Sequence, residues 1–281
     1  MKLKNIIFVL IICCFSLFDV VKADFIDDVV EKSMSKIDEK IEKSISKVEK
    51  KLDKINFDEI DKYDDKNVII KKYTVNDENL KLDLYNVPVK IKKTDDKIVS
   101  VKYDKKLYKV VLKDNKLIFN NRYKNIFNAK KETPILLEIP KKLYKNINVV
   151  SKNTALKIED MKLEKFIVKG ENLAMSLENS NIKNVKLYLK NSAINIDKSC
   201  LDSYIDAKSS AISFTNFNTK KSKFKIDSSI LKVSLDKNIA TDNLKFVGMG
   251  GFGSKYSEKK LYDKKVCIEL KYNSNSLINV K

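Results

Sequence analysis

The chain has 281 residues, with 57 basic against 38 acidic side chains, a formal net charge of +19 and a pI near 9.5. It contains no histidine, the commonest general base and metal ligand, and none of its cysteines (Cys13, Cys14, Cys200, Cys267) pair at zinc-site spacing. Arginine occurs once, at Arg122, so the positive charge is lysine and lacks the bidentate fork suited to phosphates and base edges; specific nucleic-acid recognition is not expected.

Residues 1–23 have the order of a secretory signal peptide: Lys2 and Lys4, an apolar run over 6–18, then Val21-Lys22-Ala23. The run is short for a bilayer span, which disfavours an uncleaved anchor. Ile12 is bulky where a lipoprotein signal at Cys13 needs a small residue. The segment therefore predicts export, to a periplasmic, cell-surface or secreted location. Cleavage would leave Cys200 and Cys267. The repeat described below puts them about three coils apart, on the order of 14 Å at the strand spacing, too far for a disulfide, so two separate thiols are expected.

Residues 24–57 predict an amphipathic helix. Ile26, Val30, Met34, Ile37, Ile41, Ile45, Val48, Leu52 and Ile55 recur by fours and threes, with no Gly or Pro among them. The pattern repeats every 11 residues, which keeps one stripe nearly straight and favours a slight right-handed supercoil if helices pair. Three uses compete: packing on or capping the chain's own body, self-association as a coiled-coil stalk through residues 26–57, and lying on a lipid surface. Eight lysines against nine acids give no basic face, which weakens the lipid reading.

Residues 58–67 read as a polar linker and 68–140 as a β-hairpin region. Strand-like runs at 68–70, 80–84, 87–91, 98–103, 108–112 and 117–119 are separated by short polar turns, notably Lys93-Thr94-Asp95-Asp96-Lys97 and Lys113-Asp114-Asn115-Lys116, so neighbouring runs such as 87–91 and 98–103 are expected to pair as antiparallel hairpins. A strand over 135–139 stops at Pro140, which has no N–H for a ladder.

Residues 141–281 are dominated by one repeated phrase: Ala155-Leu156-Lys157-Ile158, Ala174-Met175-Ser176-Leu177, Ala193-Ile194-Asn195-Ile196, Ala211-Ile212-Ser213-Phe214 and Ile230-Leu231-Lys232-Val233. Successive copies start 19, 19, 18 and 19 residues apart. Six residues before each start stands an apolar residue (Val149, Val168, Leu187, Ile205, Phe224), and Leu277-Ile278-Asn279-Val280 reads as a final copy. A fixed period near 20 with alternating apolar positions predicts stacked strand-bearing coils, a parallel β-solenoid of either hand. In it Ile194, Ile196, Ile212 and Phe214 face the core, and Lys157, Asn195 and Ser213 face outward. The fold class is therefore mainly β.

The order of Leu80-Lys81-Leu82-Asp83-Leu84, Val87-Pro88-Val89-Lys90-Ile91, Ile139-Pro140 and then the repeats resembles the putative-adhesin family of exported β-strand-repeat domains, over roughly residues 80–281. That family's turns are Gly-rich or Ser-Gly-Asp; here they read Asn153-Thr154, Asn191-Ser192 and Ser209-Ser210. The resemblance implies a surface or envelope protein, and its motif is structural, with no catalytic positions to carry over.

Gly248-Met249-Gly250-Gly251-Phe252-Gly253 has the glycine spacing of a dinucleotide-binding loop, but no apolar helical stripe follows it, so a turn is the better reading and no cofactor is expected. Asp206 and Asp227 recur at about one coil's spacing and are the candidates for a polysaccharide-cleaving β-helix; a solvated outer face is the simpler reading. The chain thus reads as a non-enzymatic, exported binding or scaffold protein with no catalytic, cofactor or metal residues. Its lysines suit an anionic envelope polymer, glycan or lipid surface, unless they reflect compositional bias alone. The alternatives are the cleaving enzyme and an envelope-stress signalling module.

Overall fold

The computed structural model describes residues 55, 57, 66–74, 78–123, 133–141, 144–198, 200–249, 256–263, 266–273 and 276–281. These fall in one compact unit, Ile41–Lys281. The signal segment, the amphipathic stretch before Ile55 and most of the linker lie outside the described residues, as does the unit Met1–Lys40.

The described chain is mainly β, with all nineteen strands in one hydrogen-bonded network and a single 3-10 turn at Asp242–Leu244. The strands are β1 (Val68–Tyr73), β2 (Asn79–Tyr85), β3 (Pro88–Thr94), β4 (Val99–Asp104), β5 (Tyr108–Lys113), β6 (Lys116–Asn121) and β7 (Ile135–Pro140). Next come β8 (Asn146–Glu159), β9 (Lys162–Glu178), β10 (Asn181–Lys190), β11 (Ala193–Asp197), β12 (Cys200–Lys208), β13 (Ala211–Phe217), β14 (Lys221–Asp227) and β15 (Ile230–Leu235). The last four are β16 (Phe246–Met249), β17 (Ser257–Asp263), β18 (Val266–Tyr272) and β19 (Leu277–Val280).

They form two parallel ladders. The first runs β6–β2–β8–β9–β10–β12–β14–β18 and the second β7–β3–β8–β9–β11–β13–β15–β19, with β8 and β9 long enough to serve both. The register is that of the repeated phrase: Ala155 pairs Ala174, Ala174 pairs Ala193, Ala193 pairs Ala211, Ala211 pairs Ile230, and Ile230 pairs Leu277. Because side chains alternate, the same register stacks one inward row along each strand position. Ile194, Ile196, Ile212 and Phe214 are all buried, and Phe214 packs on Phe217 and Phe224 at centroid distances of 4.5 and 5.5 Å.

The hairpin reading of 68–140 needs correcting. β2 and β3 pair parallel to β8, and β6 and β7 pair parallel to β2 and β3, so these strands are further rungs of the same ladders. Pro88-Val89-Lys90-Ile91 lies in register with Ala155-Leu156-Lys157-Ile158; it is a copy of the phrase displaced by 67 residues instead of 19. The expected pairing of 87–91 with 98–103 does not form, because β4 pairs β7 and β1 instead. Antiparallel strands occupy the ladder ends: β5 and β17 on the first ladder, β4 with β1 and β16 on the second. The β5–β6 hairpin is as expected, turning at Asp114 and Asn115, both in the left-handed region. At that end the Tyr73 hydroxyl donates to the Val110 carbonyl at 3.3 Å; burial, with Tyr103 nearby, pushes its pKa up to about 12.

The bends between ladder segments have one device in common. Asn86, Asn153, Asn172, Asn191, Ser209 and Ser228 stand at one bend of successive rungs, and Asp160, Asn179, Lys198 and Asn216 at the other, all with φ between 48° and 56°. Asn and Asp tolerate this conformation better than other residues with a Cβ, which explains how the bends form without the Gly-rich turns of the resembling family. Neighbouring asparagines also bridge rungs: Asn172 Nδ2 donates to Asn153 Oδ1 at 2.8 Å, and Asn153 Nδ2 to Asn86 Oδ1 at 2.9 Å. Beside them a buried hydroxyl file satisfies backbone N–H groups, with Ser192 N donating to Ser210 Oγ at 3.1 Å and Ser210 N to Ser229 Oγ at 2.9 Å.

Cys267 is a free thiol. β12 reaches β18 through β14 alone, so Cys200 and Cys267 lie on strands two ladder steps apart, closer than the expected three. Between β15 and β18 the described residues contribute β16 and β17, antiparallel at the ladder ends, and add no parallel rung. Two steps are on the order of 10 Å, still beyond disulfide reach.

Candidate binding faces of the two ladders

Each ladder has an outer face built from the residues that alternate with the core rows. On the first ladder two neighbouring rows are Asn148, Ile167, Lys186, Tyr204, Lys223 and Val150, Lys169, Tyr188, Asp206, Lys225, read across β8, β9, β10, β12 and β14. Tyr188 and Val150 are exposed, and the Tyr188 and Tyr204 rings pair at 5.9 Å. Lys165, Lys169 and Lys186 are exposed around them and form no ion pair among the described residues.

Most carboxylates on this face are already engaged across rungs: Lys116 with Asp83 at 3.1 Å, Lys152 with Glu171 at 3.2 Å, Lys225 with Asp206 at 3.0 Å and Lys271 with Glu258 at 2.9 Å. The hydrogen bond from Lys225 to Asp206 raises the lysine's pKa, against a smaller opposing effect of burial. Exposed pairs of this kind add little stability. Their main consequence is local: each of these four carboxylates is matched by a lysine of a neighbouring rung.

The second ladder's outer face is different. One row is Pro88, Ala155, Ala174, Ala193, Ala211, Ile230 and Leu277; the next is Leu136, Lys90, Lys157, Ser176, Asn195, Ser213, Lys232 and Asn279. Lys157, Asn195 and Ser213 do alternate with the core rows as expected, but Ser213 is buried, as are Ser176, Asn279, Leu136 and, at 6% exposure, Lys90. Leu136 is buried without belonging to the main core cluster. Glu159 takes ion pairs from Lys157 at 2.8 Å and Lys90 at 3.1 Å. Partial burial pushes its carboxyl up, but hydrogen bonds from the two lysines outweigh that and hold it below its ordinary value. Phe57 is buried here, with Ile55, Ala155, Ala174 and Ala193 packed against it.

The acids singled out in the sequence both lie on the first ladder's outer face. Asp206 is held by Lys225, and Asp227 accepts from the Ser228 hydroxyl at 3.0 Å and from Asn273 Nδ2 at 2.5 Å. Their strands, β12 and β14, are neighbours, with Asp206 paired to Lys225 and Asp227 to Lys208. In the Gly-rich stretch, Gly248 and Met249 lie in β16, and the next described element is strand β17 rather than the helix a dinucleotide loop requires. Among the described residues no cluster of carboxylates and cysteines is arranged to hold a metal, and no helix is long and apolar enough to cross a membrane. The tyrosine–lysine face was not found from the sequence: Tyr188 and Tyr204 are 16 residues apart, and only the rung register brings their rings together.

No protein-family model matches the chain, and no curated protein matches it. Among solved structures it is similar to a putative cell adhesion protein from Clostridium sporogenes, with 12% identity and a TM-score of 0.35, over 59% of this chain and 98% of that one. That overlap is too slight for a function to be read across.

Proposed function

We propose that this chain is an exported, non-catalytic surface or envelope protein that binds or scaffolds through the outer face of its first ladder. In this reading the two ladders are the walls of a β-solenoid, a rigid support that fixes side chains at rung spacing. The observation that carries the reading is the Tyr188–Tyr204 pair set among Lys165, Lys169 and Lys186 on an open face. Lysine ammonium groups at that spacing suit a repeating polyanion, and tyrosine offers a flat apolar ring with a polar tip to a sugar or a headgroup. The partner class is an anionic envelope polymer, glycan or lipid surface.

Binding of the mature protein to an acidic polysaccharide and to acidic lipid vesicles tests this. The attraction is a sum of screened contacts, and the screening length falls from roughly 30 Å at 0.01 M salt to about 8 Å near physiological strength. Affinity should fall steeply over that range, and reversing Lys165, Lys169 and Lys186 to Glu should remove most of it. Absence of binding at low salt would leave compositional bias as the account of the lysines.

A further inference from the structure

We infer that residues 41–57 of this chain lie along the outer face of the second ladder and cover it. The inference does not depend on the polyanion reading.

The face is built to be covered. Its first row is small and apolar, from Ala155 to Ala211, and continues with Ile230 and Leu277. A solvated outer face of a parallel strand has no reason to carry four alanines in line, and β-propensity disfavours Ala there. Small residues let another element approach a sheet closely. The second row holds Ser176, Ser213, Asn279 and Leu136, which point away from the core and are nonetheless buried. Lys90 is almost fully buried on the same face, with Glu159 as its partner. A lysine in that position on an open surface would extend into water.

The occupant is identified by its one described end. Phe57 is buried against Ala155, Ala174 and Ala193, three successive rungs of the alanine row, with Ile55 beside it. The chain leading into Phe57 carries Ile41, Ile45, Val48, Leu52 and Ile55 at helical spacing on an otherwise charged segment, so one apolar stripe needs a partner. The lengths agree. Seventeen helical residues span about 25 Å at 1.5 Å per residue, and the five rung steps from Ala155 to Leu277 span about 24 Å. Charge is compatible too: the segment carries five lysines against three acids, and the face offers Glu159, Glu178 and Asp197 on one side to meet that excess.

Amide hydrogen exchange on the full mature protein tests this. Amides in 41–57 should be protected in the wild type, equally at 1 and 50 µM, and in the Ala174→Asp/Ala193→Asp variant their protection should fall at least tenfold while β9 to β14 stay protected. If that variant does not fold, Ile45→Asp/Val48→Asp leaves the sheet untouched. It should abolish protection in 41–57 and make a thiol placed by Ser213→Cys, with Cys200 and Cys267 replaced by Ser, at least ten times more reactive. Protection that appears only at the higher concentration would assign the face to a second copy, and protection that appears only with lipid vesicles would assign the segment to a membrane. Either result, or an unprotected segment in the wild type, overturns the inference.

Discussion

The two ladders have the same rung register and the same inward alternation, yet their outer faces have opposite chemistry. At the position preceding the first core residue of each phrase, the second ladder carries Ala155, Ala174, Ala193 and Ala211; the first ladder carries Ile167, Lys186, Tyr204 and Lys223 in one of its outer rows. The second ladder's face sets a small, apolar row beside a row that is largely buried; the first ladder's face is long-chained, charged and open. Inward residues decide that strands stack, and they do so similarly in both ladders. Outward residues decide what each face meets, and there the two part.

The largest effect should come from what the ladders have in common. Ile194→Ala removes a buried side chain from a stacked row and should cost about 2–5 kcal/mol, whereas Lys186→Ala on the open face should stay within about 0.5 kcal/mol. Chemical denaturation of both variants checks the difference, and equal losses would mean that the faces are misassigned.

A smaller effect should come from the bends. Asn172→Ala loses a side chain suited to its left-handed backbone and the hydrogen bond to Asn153, and should cost about 1–2 kcal/mol. Ser228→Gly, at a bend with φ of 48°, should instead stabilise by a few tenths to about 1 kcal/mol. Thermal unfolding of the two variants should move in opposite directions.

The smallest effect separates the faces by pH. Glu159 has its pKa lowered in the folded state, so the stability it contributes is present above the ordinary carboxylate range and is lost as pH falls through its folded value. The stability difference between wild type and Glu159→Gln should therefore be largest near pH 7 and shrink steadily toward pH 3. Lys225 on the first ladder has its pKa raised by Asp206, so its contribution is present below the ordinary lysine value and fades only as pH rises through the folded value. Acid titration should leave that lysine's charge untouched.

Much of this architecture is legible in the residues. The 19-residue recurrence places Ala155, Ala174 and Ala193 side by side, as they are, and marks Ile196 and Phe214 as core. What escaped was whatever broke the period. Pro88-Val89-Lys90-Ile91 has the phrase and the preceding Leu82, but β4 to β7 stand in the chain between it and its partner strand β8, so periodicity along the chain could not pair it with Ala155. Local turn chemistry at 93–97 then favoured a hairpin that the register of β3 with β7 and β8 overrides. The burial of Ser213 was illegible for another reason: alternation says which face a residue takes, and nothing about whether that face is wet. The tyrosine–lysine surface joins residues from three rungs, and only their register brings them together.

The central contrast is between an open outer face on the first ladder and a largely buried outer row on the second. The direct measurement is the reaction rate of a single thiol placed by Lys186→Cys or by Ser213→Cys, with Cys200 and Cys267 replaced by Ser, in otherwise identical mature protein. The position on the first ladder should react at nearly the rate of a free thiol, and the position on the second at least tenfold more slowly. Equal, fast rates at both would contradict the account, because the second ladder's outer face would then be as exposed as the first.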